Sequence, residues 1–442
     1  MDLGEEQPDI SRRALLRGGI AAGAGLALLP RTSLAAAPTA AVAEANWPNV
    51  TALVDGYVDS GKLPEMIAAL GWGQQPPMAI ARGTLANNSE TPVTIDSLYR
   101  IYSMTKPITG MATMILVDEG KLRLDQPLAD ILPRFAKMMV QATPDGSIED
   151  VLPAKSPITI RELITHTSGL GYSIVQKGPI KQAYEDSGLV PGQVSKMKIP
   201  GLDDSTPVSS LADFTDTLAQ MPLVYQPGTQ WSYSVGLDLM GRVIEVVTGQ
   251  PFDAFLKERI FAPTGMTSTF FKVPKADEPR LTTNYGVIGG VLVPIDPADN
   301  SIYLEKPPFP FGGAGLVSSP RDYDRFLMML LGMGQIGGRR VMNEAAVKMG
   351  MSNLLPATAN TKGTWIEGAG FGAGGRVGLG VDAGTYGWGG AAGTVAFVNT
   401  RVGNRASLFT QYMPDNSYPV SKQFPKAVIA DLETMTGRKA AA

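Results

Sequence analysis

The apolar and polar positions of this chain fall into three stretches with different periods. Residues 78–83 are a short apolar run between Pro77 and Gly83, the pattern of a strand. Residues 94–102 lead into a helix that starts near Ser103. Ile108, Met111 and Ile115 repeat on one face, Pro107 falls in the first turn where no intrahelical N–H bond is lost, and Gly120 supplies a stop. Its interior is apolar nearly all round, which predicts a buried helix. Over residues 122–279 helix and loop signals dominate. Asp125-Gln126-Pro127 opens one short helix, and Thr159-Ile160-Arg161-Glu162 is a capping box that opens another. Residues 237–247, stopped by Gly249, and 252–261, stopped near Pro263, continue the helical pattern, while 176–207 is polar, broken by Pro and Gly, and reads as a surface insertion. After residue 279 Gly/Pro turns separate apolar runs, with a helix over 321–331, a hairpin pairing 394–399 with 406–412, and a closing helix over 425–435. The simplest fold is α/β: an antiparallel sheet flanked by helices, assembled from residues 46–120 and 281–442, with a mostly helical domain, 121–280, inserted between them.

Composition narrows the chemistry. The 38 basic and 41 acidic side chains nearly cancel and form no basic block beyond the N-terminus, so there is no electrostatic footprint for nucleic acid. Without cysteine there are no disulfides, thiol nucleophiles or thiolate metal sites. His166 is the single histidine and has no second imidazole with which to share a metal. The first 45 residues read as an export segment. Ser11-Arg12-Arg13-Ala14-Leu15-Leu16-Arg17 precedes a weakly apolar run over 18–30, followed by Ala35-Ala36-Ala37 and Ala41-Val42-Ala43 as small-residue cleavage sites. This resembles a twin-arginine signal. As a helix the run spans only about 20 Å against a hydrocarbon core of about 30 Å, so a lasting membrane anchor is not expected.

Ser103 and Lys106 stand at i and i+3, one helical turn apart, which brings an amine within reach of a hydroxyl. Ser195 and Lys198 repeat the spacing, but in a polar loop among lysines. Ser103 instead opens a buried helix, whose free N–H groups and positive dipole end suit an oxyanion. To take a proton the amine must be neutral, and desolvation disfavours its ammonium form.

The chain around these residues resembles the serine β-lactamase-like superfamily, in its class C-related branch with the family VIII carboxylesterases, D-aminopeptidases and 6-aminohexanoate-dimer hydrolase. The blocks are 98–107 (LYRIYSMTKP), 160–169 (IRELITHTSG), 227–236 (PGTQWSYSVG), 252–269 with its Pro-Thr-Gly-Met, and 312–326 (GGAGLVSSPRDYDRF). The resemblance implies Ser103 as nucleophile and, through its Tyr-x-Asn motif at Tyr233-Ser234-Val235, Tyr233 as a proton relay. Lys106 and Tyr233 both remain open as the base. The family's Lys-Thr-Gly corresponds to Trp388-Gly389-Gly390, with the Ala391 N–H joining that of Ser103 in an oxyanion hole. Trp388 in place of a cation, and Val235 in place of an amide, remove partners for a charged amide substrate and point to a small neutral ester. Trp-Gly-Gly is characteristic of the family VIII carboxylesterases. His166 is implied to be structural, bonding carbonyls at a helix end. No metal or cofactor is implied. The alternatives are a β-lactamase or D,D-peptidase, an acyltransferase, and a non-catalytic binder that kept the fold.

Overall fold

The computed structural model describes residues 39–199 and 205–437. The arginine pair and Ala35-Ala36-Ala37 lie outside the described residues, whereas Ala41-Val42-Ala43 lies in helix α1 (Ala40–Asn46), with Ala43 buried. Helix α2 (Pro48–Val58) starts with Pro48, whose missing N–H costs nothing in a first turn. Strands β1 (Glu65–Trp72) and β2 (Met78–Gly83) follow, then helix α3 (Thr105–Asp118), buried continuously from Thr105 to Leu116. Gly120, at φ +69°, provides the left-handed residue that ends it.

The next helices obey their caps. In α4 (Ile160–Ile164) the Thr159 side chain accepts from the Glu162 N–H, and the Glu162 carboxylate accepts from the Thr159 N–H. Helix α5 (Gly236–Thr248) stops at Gly249, at φ +71°. Two expectations are corrected here. Asp125-Gln126-Pro127 leads only into a 3₁₀ turn at Leu128–Asp130, and the helix from Phe252 widens into a π turn at Lys257–Phe261. Helix α6 (Pro320–Leu331) is capped by the Ser319 hydroxyl, which accepts from Asp322 N.

The C-terminal part supplies β3 (Gly370–Phe371), β4 (Arg376–Val377), β5 (Thr385–Gly390), β6 (Thr394–Asn399), β7 (Asn404–Phe409) and helix α7 (Val420–Thr436). The last helix begins ahead of the expected Pro425, because Val420, Phe424 and Val428 form one buried face. The sheet runs β3-β4-β5-β6-β7-β1-β2, antiparallel throughout, so strands from the two ends of the chain meet where Ile67 faces Phe409. Alternation in β1 divides the molecule into layers. Met66, Ala68 and Leu70 pack under α1, α2 and α7, whereas Ile67 points into the core shared with α3 and α6. Each large apolar side chain fully buried in these layers contributes about 1.5–3 kcal/mol. The larger core runs without a break from the sheet into residues 128–266. No described helix is long and apolar enough to cross a membrane.

Candidate active site

Ser103 lies in a 3₁₀ turn, Tyr102–Met104, at the head of α3. The approach is anchored behind it. The Arg100 guanidinium, fully buried, donates to the Asp296 carboxylate at 2.6 Å and to Ser301 Oγ at 3.0 Å, while the Gln411 side chain bonds both the N–H and the carbonyl of Arg100. Tyr102 then takes φ +39°, unusual for a residue with a Cβ. It is held there by burial and by Asn284 Nδ2, which donates to its hydroxyl at 3.2 Å. The chain turns sharply at this point and leaves Ser103 partly accessible between two buried neighbours.

Lys106 is fully buried, with its Nζ 3.2 Å from Ser103 Oγ and donating to the Gly313 carbonyl at 2.7 Å. Residues 312–316 run along the first turns of α3: Thr109 Oγ1 donates to the Gly312 carbonyl, and Leu316 N donates to Thr105 Oγ1. Asp238, in the first turn of α5, accepts the Gly313 N–H at 2.8 Å. Burial pushes its carboxyl up to about 6, against the opposing effects of Lys106 and that N–H. The second Ser-x-x-Lys is put to structural use. Ser195 Oγ donates to the Ile295 carbonyl and accepts from Met197 N, while Lys196, which is not the lysine of the motif, pairs with Glu305 at 2.7 Å.

Tyr233 arrives from a distant segment just before α5. The Lys106 amine stands 4.4 Å from its ring centroid, and Trp388 Nε1 donates to its hydroxyl at 3.1 Å. Its ring also meets His166, Tyr172 and Trp365 at 4.6, 5.4 and 5.0 Å, and Trp365 is 62% exposed. His166 does not use its ring on helix-end carbonyls as expected. At φ +58° it turns back, and Nδ1 accepts the Ser234 N–H at 3.1 Å with Ser234 Oγ at 3.0 Å. An acceptor Nδ1 assigns the proton to Nε2. Burial first and Lys106 second hold the imidazole well below its usual acidity range, so it stays neutral and fixes the Tyr233–Ser234 segment.

The Trp388-Gly389-Gly390 segment ends β5 beside the nucleophile turn. A Cβ at Gly390 would overlap the Ile101 carbonyl oxygen and Thr394 Oγ1, so only glycine allows the strand this close. Ala391 packs against Tyr102 and Ala314. Among the described residues, no acceptor takes the N–H of Ser103 or of Ala391. Val235 is corrected: it is fully buried in the main core, so its side chain does not form an accessible wall. Instead, residues 191–194 of the insertion strap the site. The Pro191 carbonyl accepts from the Tyr172 hydroxyl, the Gln193 carbonyl accepts from that of Tyr303, and Val194 packs against the small apolar cluster of Tyr102, Ala314 and Ala392. Sequence reasoning missed Tyr172, Asp238, Gly313 and Trp365. For Trp365 its type was the one signal available, and Asp238 stands five residues past Tyr233. A separate open cleft of about 840 Å³, lined by Leu211, Phe261, Phe271 and Phe309, touches none of the predicted site residues.

This layout, a serine and lysine at a helix head with a tyrosine and a sheet edge closing over them, defines a class of protein. Residues 50–428 match the Beta-lactamase family, and the chain belongs to it. An uncharacterized protein of Mycobacterium tuberculosis is 34% identical over 319 residues, covering 69% of this chain and 74% of its own length. Esterase EstB of Burkholderia gladioli is 29% identical over 352 residues, covering 75% of this chain and 81% of its own. EstCE1, described as a hydrolase with promiscuous acyltransferase activity, has a solved structure that matches with a TM-score of 0.70. At 24% identity over 88% of this chain and 99% of that one, it bears on the fold alone.

Proposed function

We propose that this serine hydrolase of the beta-lactamase family is a carboxylesterase that cleaves small neutral esters through an acyl-enzyme on Ser103. The observation that carries the reading is the Lys106 amine, sealed from water between Ser103 Oγ and the Gly313 carbonyl. With one N–H committed to that carbonyl, a neutral amine turns its lone pair toward the Ser103 hydroxyl. The serine proton passes to Lys106, or to Tyr233 beside it, as Oγ bonds to the ester carbonyl carbon. The N–H groups of Ser103 and Ala391 receive the oxyanion. Collapse breaks the bond to the alcohol oxygen, which leaves with the proton that Lys106 and Tyr233 return. Water then attacks the acyl group by the same steps in reverse order of proton movement, releasing the acid.

Substrate choice rests on what lines the mouth. The ring of Trp388 is tied to the Tyr233 hydroxyl where a lysine cation would receive a carboxylate, and Trp365 extends the aromatic surface outward. The similarity to Esterase EstB supports ester cleavage. Transfer of the acyl group to an alcohol uses the same intermediate, and the similarity to acyltransferase calJ of Penicillium decumbens, 28% identical over 354 residues, favours this as the second reading. Export through the arginine-pair segment remains part of the proposal.

A short-chain p-nitrophenyl ester provides the test. Ser103→Ala is expected to lower kcat/KM by about 10⁴-fold or more. Equal hydrolysis by Ser103→Ala and wild type rejects the reading. Faster turnover of nitrocefin than of the ester replaces it with a β-lactamase, and product trapped as a new ester when an alcohol is added favours the transferase.

A further inference from the structure

Asp238 and Lys106 are both fully buried and are joined through one residue. Asp238 Oδ1 accepts the Gly313 N–H at 2.8 Å, and the Gly313 carbonyl accepts from Lys106 Nζ at 2.7 Å. Asp238 Oδ2 has no hydrogen-bond partner among the described residues. The fit leaves no slack, since a Cβ on residue 313 would stand 2.6 Å from Oδ2. Two opposite charges removed from water feel each other strongly, and a carboxylate in this position favours the ammonium form of its partner. An anion here is therefore no help to a lysine that must shed its proton. Its effect is to place the pH at which the amine becomes a base.

We propose that Asp238 is a positioning residue for the Ser103–Lys106 pair. It fixes the Gly313 peptide that orients the amine, and its charge sets the pH above which the amine accepts the serine proton. This rests on the reading of Lys106 as a proton acceptor. The other ionisable groups packed around the pair are His166, from the segment after α4, and the phenols of Tyr172 and Tyr233. His166 is already neutral, so Asp238 is the anion facing the amine.

The test is the pH profile of kcat/KM on a short-chain p-nitrophenyl ester for Asp238→Asn and Asp238→Ala. Asparagine keeps an acceptor for the Gly313 N–H but removes the charge, so the acidic limb moves down by about one pH unit, a tenfold gain at its foot. Alanine also frees the Gly313 peptide, and kcat falls by about 10²-fold, with partial rescue by asparagine. A limb that stays or moves up in an Asp238→Asn protein of wild-type melting behaviour overturns the proposal. Should that variant not fold, the wild-type Lys106 ε-carbon resonance decides. It is expected to titrate in two coupled steps, and a single step overturns the idea. Ser103→Ala separates the two failures: full activity there removes the parent reading, whereas an inert Ser103→Ala with an unmoved limb removes only the role of Asp238.

Discussion

Glu65, the first residue of β1, is fully buried, and neither carboxylate oxygen has a hydrogen-bond partner among the described residues. Burial pushes its carboxyl up from 4.5 to about 8. A folded-state value above the unfolded one means the native protein keeps the proton longer. The stability that this represents is complete below about pH 4.5 and drains away as pH rises toward about 8. Glu65→Gln is therefore expected to melt higher than wild type at pH 8, by on the order of 3 kcal/mol in stability, with the gap closing near pH 4.5. Thermal melts at both pH values check this, and a gap that widens on acidification refutes it. At this scale Ser103 and Lys106 were legible because helix geometry alone places i and i+3 on one side. Asp238 and Gly313 were not, since their meeting joins residues from α5 and a loop with no local spacing rule between them.

The glycines at the end of β5 differ in what they permit. Gly390 has no room for a Cβ against Ile101 and Thr394, while the nearest atom to a Cβ on Gly389 is the Thr394 carbonyl oxygen at 3.2 Å. Gly390→Ala is expected to push the strand off the nucleophile turn and lower kcat/KM by about 10²-fold, whereas Gly389→Ala stays within a few-fold. Steady-state kinetics on both variants distinguish a spacing requirement from a general intolerance of side chains. Among the elements, capped helices were readable: Thr159-x-x-Glu162 and Gly249 state their boundaries in local hydrogen bonds and backbone freedom. The strand β1 was not. It is buried on both sides along nearly its whole length, so it lacks the alternation that marks a half-exposed strand. The two-residue strands β3 and β4 are too short to carry a pattern at all.

Across the whole molecule, the two ends of the described chain are clasped together. The Asp431 carboxylate of α7 accepts the N–H groups of Asn49 and Val50 at 2.9 and 3.0 Å, capping α2 from 382 and 381 residues away. Removing it with Asp431→Ala is expected to cost about 1–2 kcal/mol. A lower midpoint of chemical unfolding with unchanged kcat is the expected result, and an unchanged midpoint contradicts it. The same closure assembles the sheet that brings Gly390 to Ser103. What the amino-acid order determined by itself was local: the buried helix α3, its serine and lysine one turn apart, the capped helices, and the existence of the β6–β7 hairpin, whose second strand starts at Asn404, two residues ahead of the expected 406, with Asn399 facing Asn404. The tertiary structure alone decided that Tyr233 meets Lys106, that Val235 faces the core, and that Asp238 reaches the lysine through Gly313. These depend on which distant surfaces pack together, and burial then changes the acidity of the groups enclosed.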